Sequence, residues 1–359
     1  MFAGRGFCGK GITFSGGRER NPGLGNPLAG RMLTALLALL HAAPALAAGP
    51  RLLLVGDTGD DTAMARVVAA DLAAAQAGAE AIIALGDLYY DAPPIDAPDC
   101  VDQLVARYSA FFRTLDPAKV VPVTGNHDVT TVEQKSFSPA ARACTVAAWK
   151  KMGWVKDDAP SHVRALQKGG VRVDLAVIDS GFYGEGAPRP SLSFRKQAHW
   201  RFYAAHYVWR SGVGKCGERD KVPVEWLGRP PMHAWLNGHA HHLEAVQVEG
   251  TLALTSGAGM EMRSAKDCGG VESLFTYTKP EAADAGGWLQ LDVLSATELR
   301  VTPRVCSPTG CEWKPALSCT KGKDPFSVAC TPTADARPAT PMPPPAPAPE
   351  PAPATPPTL

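Results

Sequence analysis

Four short glycine-anchored motifs in fixed order constrain this chain more than anything else in it: Gly56-Asp57-Thr58-Gly59, Gly86-Asp87-Leu88-Tyr89-Tyr90, Gly125-Asn126-His127-Asp128 and Gly238-His239-Ala240-His241. The first three each follow an apolar run (Leu52 to Val55, Ala81 to Leu85, Val120 to Val123) that reads as a strand buried on both faces. Carboxylate, amide and imidazole groups therefore arrive just past strand ends, where open α/β sheets keep their chemistry.

The segments between these motifs set the fold class. From Thr62 to Gly78, Ala, Met, Val and Leu recur at helical spacing, so the strand at 51–55, this helix and the strand at 81–85 form a βαβ unit. Cys100 to Leu115 reads as a second amphipathic helix leading to the strand at 119–123. The second half carries strand signals separated by turns: Val171 to Ile178, Phe202 to Tyr207, Ala234 to Leu236, Ala245 to Val248, Leu252 to Thr255 and Trp288 to Val293. The expected class is α/β, a four-layer α/β/β/α sandwich of two mixed sheets flanked by helices.

Both ends differ from this middle. Arg31, the apolar run Met32 to Leu40 and Ala45-Leu46-Ala47 have the basic flank, short apolar stretch and small-residue site of a signal peptide. Residues 1–48 are therefore expected to be a leader with its start codon at Met32, and the product to be periplasmic or secreted. A membrane anchor would need about 20 apolar residues, and His41 and Pro44 interrupt this run. The catalytic domain is expected over residues 50–300, a Cys-rich appendage over 301–335 and an extended Pro/Ala-rich tail over 336–359. Loss of the leader removes Cys8 and leaves Cys100, Cys144, Cys216, Cys268, Cys306, Cys311, Cys319 and Cys330, an even number that favours disulfides in an exported chain. None has the Cys-x-x-Cys spacing of a zinc ribbon, and sequential pairing of the last four is the simplest arrangement. With 36 basic and 35 acidic side chains and a formal charge of +1, no electrostatic footprint for nucleic acid is present.

Taken singly, each motif has a bland explanation: an Asp after a strand caps a helix, Gly-Asn makes a turn, and a lone His is commonly a surface or core residue. Together they offer Asp57 and Asp87 carboxylates, the Tyr90 phenol, the Asn126 amide oxygen and the His239 and His241 imidazoles. Hard oxygen donors mixed with imidazole suit iron, zinc or manganese. Two such ions about 3.5–4 Å apart clamp the attacking and leaving oxygens of an in-line displacement, provided that one of the two Asp bridges them.

From about Arg51 to Met260 the chain resembles the calcineurin-like metallophosphoesterases and, within them, the purple acid phosphatases. The wider superfamily opens with Asp-x-His, whereas Asp57-Thr58-Gly59 has Gly in place of that His. Purple acid phosphatases make the same replacement and supply a Tyr three residues after the second-motif Asp, where Tyr90 stands. The family's remaining His motif resembles Tyr203-Ala204-Ala205-His206, and Ser256-Gly257-Ala258-Gly259 resembles another family segment.

The resemblance implies that a first ion, ferric iron, takes Asp57, Asp87, Tyr90 and His241, and that a second, divalent iron, zinc or manganese, takes Asp87, Asn126, His206 and His239, with Asp87 bridging. It implies that His127 stabilises the transferring phosphoryl group and protonates the leaving alkoxide, the nucleophile being a hydroxide held by the ions. The implied activity is hydrolysis of small phosphate monoesters. A phosphodiesterase or nucleotidase with the same ions is the alternative, and a non-catalytic binding module that uses the tail and appendage is a further one. His162, His199, His233 and His242 are expected to be structural or exposed, Tyr89 to be packing, Asp60 or Asp61 to cap a helix and Asp91 to sit in a solvated loop. Where many purple acid phosphatases carry further phosphate-binding histidines, this chain has Arg210 to Cys216, so Arg210 or Lys215 is expected to bind phosphate instead.

Overall fold

A computed structural model describes residues 49–91, 93–131, 137–156, 161–179, 192–215, 232–281 and 283–333. The expected leader at 1–48 and tail at 336–359 lie outside the described residues, as does Cys216.

The apolar runs form the parallel strands β1 (Arg51–Val55), β2 (Ala81–Ala84) and β3 (Val120–Pro122). Helices α1 (Ala63–Ala75, extended by a 3₁₀ turn over Gln76–Gly78) and α2 (Cys100–Phe112) connect them. Side chains alternate between two cores. Leu52, Leu54 and Ile83 face the second sheet, while Leu53, Val55 and Ile82 face Val68 and Leu72 of α1 and Leu104 and Phe111 of α2. With both faces covered, every residue of β1 is buried, which is why its sequence is a run rather than an alternation.

Further along the chain come α3 (Pro139–Lys151), β4 (His162–Lys168), β5 (Val171–Val177), β6 (Trp200–Ala204), β7 (Ala234–Asn237), β8 (Leu243–Val248), β9 (Thr251–Ser256), β10 (Ser273–Tyr277) and β11 (Gly286–Val293). The last four strands are β12 (Glu298–Ser307), β13 (Gly310–Trp313), β14 (Leu317–Lys321) and β15 (Val328–Pro332). One sheet runs β15-β14-β12-β11-β1-β2-β3 with β13 against β12, and the other runs β10-β8-β9-β7-β6-β5-β4. Both are mixed: β5, β6, β7 and β9 are mutually parallel, whereas β11 is antiparallel to β1. The two sheets face each other across one core, with α1, α2 and α3 against the outer face of the first. Ala176, Tyr203, Trp235 and Val246 on the outer face of the second sheet pack with Trp209 and Met232.

Two expectations change. The Cys-rich segment is not a separate appendage, because β12 crosses the boundary drawn at residue 300 and β12, β14 and β15 continue the first sheet. Leu299, Val301, Leu317, Cys319 and Val328 enter the core between the sheets, and the segment reads as apolar-poor only because its alternate residues face solvent. Strand β6 ends at Ala204 rather than Tyr207, which places His206 in the loop beyond it. Helix α3 and the half-exposed strands β4 and β10 had no clear sequence signal. The α3 N-terminus is nonetheless well formed, with the Ser138 hydroxyl accepting from Ala141 N at 3.2 Å and Pro139 in the first turn.

Cys306–Cys311 and Cys319–Cys330 pair sequentially, each across directly opposed residues of neighbouring strands, and Cys100–Cys144 ties α2 to α3. Among the described residues no helix is long and apolar enough to cross a membrane.

Candidate metal centre

All the chemistry-bearing motifs lie just past the C-terminal ends of parallel strands: Asp57 after β1, Asp87 after β2, Asn126 after β3, His206 after β6, and His239 and His241 after β7. The ends of the two sheets are stitched together, Gly56 N donating to Ser256 O at 2.7 Å. Asp57 (φ 57°), Asp87 (φ 51°) and His239 (φ 65°) adopt the left-handed conformation, which costs a residue with a Cβ on the order of 1–3 kcal/mol. Among described non-glycine residues only Glu249 shares it, so local strain is concentrated where these three side chains must point inward.

A first group of donors gathers around Tyr90. Its hydroxyl donates to Asp57 Oδ1 at 3.1 Å and lies 3.1 Å from His241 Nε2, which is itself 3.4 Å from Asp57 Oδ1. The other oxygen of Asp57 accepts from His239 N at 2.7 Å. On the far side of the His241 ring, Nδ1 lies 3.4 Å from Glu261 Oε1 without making a hydrogen bond, while Nε2 faces Asp57 and Tyr90. Burial first, then the Asp57 and Asp87 charges, push the Tyr90 phenol far above its ordinary range.

The second group gathers around His206, which is fully buried. Its Nδ1 donates to Leu85 O at 2.8 Å, so Nε2 is the atom that meets Asp87 Oδ2 (3.2 Å), Asn126 Oδ1 (3.2 Å) and His239 Nδ1 (3.0 Å). Burial would lower the His206 pKa, but the Asp87 charge and hydrogen bond outweigh it and raise it to about 9. Burial pushes Asp87 up in turn, and His206 more than reverses this, holding the carboxyl below its usual range.

His127 stands beside both groups. Its backbone N–H donates to Asp87 Oδ1 at 2.9 Å, its Nδ1 lies 3.1 Å from Tyr90 O, and its ring centroid is 4.8 Å from that of Tyr90. Asp128, unassigned from sequence, proves to be the staple of this region. Its oxygens accept from Leu88 N (3.0 Å) and Gly125 N (2.8 Å), joining the second motif to the third, and burial followed by the Asp87 charge raises its pKa. A Cβ at Gly125 would fall 2.1 Å from Asp87 N, so only glycine lets these two loops touch. Thr124 donates to Asp179 beyond β5, which also accepts from Arg142 Nε at 2.6 Å, locking the β3 end next to Asn126.

The remaining histidines sit elsewhere in the fold. His199 Nδ1 accepts from Arg172 N (2.9 Å), His233 Nδ1 accepts from Arg201 N (3.0 Å), His242 Nε2 faces Glu244 (3.3 Å) and His162 lies in edge strand β4. Tyr89 is buried against the helices. The α1 cap is Thr62, whose hydroxyl accepts from Ala65 N at 2.9 Å, rather than Asp60 or Asp61; Asp61 pairs with Arg66 instead. Arg210 lies over the Trp209 ring at 5.1 Å. Glu244 has no signal in the sequence, because its donors are brought to it by sheet pairing and a loop return and it lies in no recognisable motif.

Residues 50–243 match the sequence profile of the calcineurin-like phosphoesterases. The chain belongs to that family. In fold it is similar to a purple acid phosphatase from yellow lupin (Lupinus luteus) seeds, with a TM-score of 0.52 and 16% identity over 83% of this chain and 58% of that one. The chain thus spans less than two thirds of that enzyme's length. Fainter likenesses are to an inner-membrane-complex anchor of Plasmodium (TM-score 0.49, 14% identity, 73% of this chain and 85% of that one) and to a putative 5′-nucleotidase from Staphylococcus aureus (0.38, 14%, 74% and 54%). A search of curated proteins found no similar sequence.

The calcineurin-like phosphoesterase fold implies metal ions, and the donor set fits them. In the first group Asp57 Oδ1, the Tyr90 hydroxyl and His241 Nε2 lie within 3.4 Å of one another. In the second, three acceptors surround a single His206 nitrogen whose raised pKa reports a demand for positive charge at that point. The Asp87, His206 and His239 donor atoms all lie within 4.8 Å of one another. Gly59 explains why this member departs from the superfamily's Asp-x-His: a Cβ there would lie 2.5 Å from Tyr90 Cδ2. The phenol ring fills space that a side chain at position 59 would need.

Proposed function

We propose that this calcineurin-like phosphoesterase is an exported, dinuclear acid phosphatase acting on phosphate monoesters. The observation that carries the reading is the pair of acceptor clusters on either side of Asp87, one completed by a tyrosine. In this reading Asp57, Tyr90 and His241 would hold a first ion and Asn126, His206 and His239 a second, with Asp87 available to both. A phenolate among hard donors suits ferric iron in the first position, and imidazole with an amide oxygen suits divalent iron, zinc or manganese in the second. When bound, the ions supply charge neutralisation at the phosphoryl oxygens and acidify the water of the site.

The chain's own groups do the rest. His127, with Nδ1 donating to the Tyr90 carbonyl, keeps Nε2 for the proton given to the leaving alkoxide. The His127 N–H to Asp87 Oδ1 bond and the Asp128 staple keep that imidazole in register with the bridging carboxylate. Leu85 O fixes the tautomer of His206, so that it offers Nε2. Three described disulfides support export, since such bonds persist in oxidising compartments.

Elemental analysis of purified protein, its visible spectrum and turnover of a monoester against a diester test the reading together. Expected are two metals per chain, a phenolate-to-iron colour lost in Tyr90→Phe, and preference for the monoester. A colourless iron-loaded protein would overturn the Tyr90 assignment, preference for the diester would make it a phosphodiesterase, and absence of turnover with both metals bound would make it a binding module. N-terminal sequencing of the mature protein tests export.

A further inference from the structure

Glu244, on β8, is 1% exposed yet its carboxylate gathers four donors from three separate segments. Oε1 accepts from Gly212 N (3.0 Å) and Ser273 Oγ (2.5 Å), and Oε2 from Ser211 Oγ (2.5 Å), with His242 Nε2 at 3.3 Å. Its neighbour on the same face of the strand, Val246, packs in an apolar cluster with Tyr203 and Trp235, where an apolar side chain would avoid the cost of burying a charge. Burial pushes the Glu244 carboxyl up, but the His242, Ser211 and Ser273 hydrogen bonds outweigh it and keep the group below its usual range.

The position of these donors gives the network a purpose. Ser211 and Gly212 follow His206 by five and six residues, and His242 follows His241 directly. Apart from Glu244, the 212–214 segment is tied to its neighbour by Cys268 N to Gly212 O (2.7 Å), Gly214 N to Lys266 O (2.8 Å) and the Val213–Asp267 bridge. At the start of the same segment, the half-buried Tyr207 ring lies edge-on to His239 (centroids 4.9 Å apart) and against His206 (5.5 Å).

We propose that Glu244 is a positioning residue for the second-ion side of the centre: it clamps the 207–214 segment to the strand that follows His241, and thereby holds Tyr207 against His206 and His239. The inference rests on the two-ion reading above. Removing the clamp leaves every donor atom in place and the Tyr207 carbonyl bonded to Trp235 Nε1 (3.2 Å), but loosens the segment at Ser211 and Gly212 and so relaxes the packing on the two imidazoles, and the second ion loosens while the first does not. Partners that orient metal ligands typically contribute about 10–100-fold in metal affinity or activity.

The test compares Glu244→Gln with Asp174→Asn, a fully buried carboxylate bonded to Arg195 on β5, towards the opposite edge of the same sheet. Measured are thermal midpoint, zinc or manganese bound at controlled free metal, iron content, and KM and kcat for p-nitrophenyl phosphate. Both variants should melt earlier. Only Glu244→Gln should raise the free zinc needed for half-occupancy by about tenfold and raise KM, with iron content unchanged. Equal behaviour of the two variants, or a lower midpoint in Glu244→Gln without change in zinc affinity, would reduce Glu244 to a fold-stabilising residue. Should Glu244→Gln not accumulate, Ser273→Ala removes a single arm and should shift zinc affinity in the same direction by less; unchanged affinity overturns the proposal. A wild type that binds no metal overturns the two-ion reading itself, which is a separate outcome.

Discussion

Gly59→Ala is the sharpest perturbation available, because it adds one carbon where the phenol of Tyr90 passes. The new Cβ would lie 2.5 Å from Tyr90 Cδ2, 2.8 Å from Tyr89 N and 2.9 Å from Tyr89 C. Carbon atoms settle at roughly 3.5–4.0 Å, so the ring must retreat by about 1 Å, and the two backbone contacts oppose any relief by moving the chain. The Tyr90 hydroxyl stands 3.1 Å from both Asp57 Oδ1 and His241 Nε2. A displacement of that size takes it out of hydrogen-bond reach, and it exceeds by about fivefold the ±0.2 Å within which metal–ligand distances hold. Overpacking of this kind costs about 1–3 kcal/mol. The expected result is a folded protein with an earlier thermal midpoint, a first ion that binds weakly and a bleached phenolate absorption, read by melting, iron analysis and visible spectroscopy on one sample. The double variant Gly59→Ala/Tyr90→Ala should recover part of the lost stability but none of the colour. A Gly59→Ala protein that keeps its colour, its iron and its midpoint would refute the steric account of the Gly59 and Tyr90 pairing.

Three other outcomes are expected. His127→Ala should retain both metals and slow turnover by about 10²–10⁴-fold, and full activity would limit His127 to packing against Tyr90. His206→Ala should leave the first ion bound and empty the second position, measured as a fall from two metals per chain towards one; unchanged stoichiometry would move that ligand elsewhere. In metal-free protein the His206 pKa of about 9 lies above the ~6.5 of an unfolded chain. Its contribution to stability is therefore complete below about pH 6.5 and lost as pH rises through 9. The raised Asp128 carboxyl acts with the same sign at lower pH. Urea midpoints at pH 6, 7.5 and 9 with chelator present should fall steadily, and saturating zinc should flatten the fall; a chelated protein that gains stability over this interval would contradict the His206–Asp87 pairing.

The residues of the centre were legible to the extent that their information is local. Asp57, Asp87 and Asn126 each stand directly behind a glycine and an apolar run, so position and chemistry are written within a few residues. His206 needed the resemblance as well, since the apolar run before it looked longer than the strand that forms. Asp128 and Glu244 could not be assigned, because a carboxylate next to a histidine or on a strand reads as an ordinary charge until its donors are known. Those donors include Leu88 and Ser273, 40 and 29 positions away along the chain. Helix α3 has no clear amphipathic pattern because most of its apolar residues are alanines spread around the helix, and it docks through Ala141, Thr145, Ala148 and Trp149, together with the Cys144 bond to α2.

By itself, then, the sequence determined the class of the fold and the order in which the donors meet the chain, because buried parallel strands must be apolar runs and the turns after them must be glycine. Only the tertiary structure decided that β12 to β15 complete the first sheet, since alternation on a half-exposed strand looks like loss of a core until the covering sheet is present. It also decided which nitrogen of His206 faces the centre. That choice is made by Leu85 O, an acceptor on another segment, and the hydrogen bond on one side of an imidazole sets the atom left for the other.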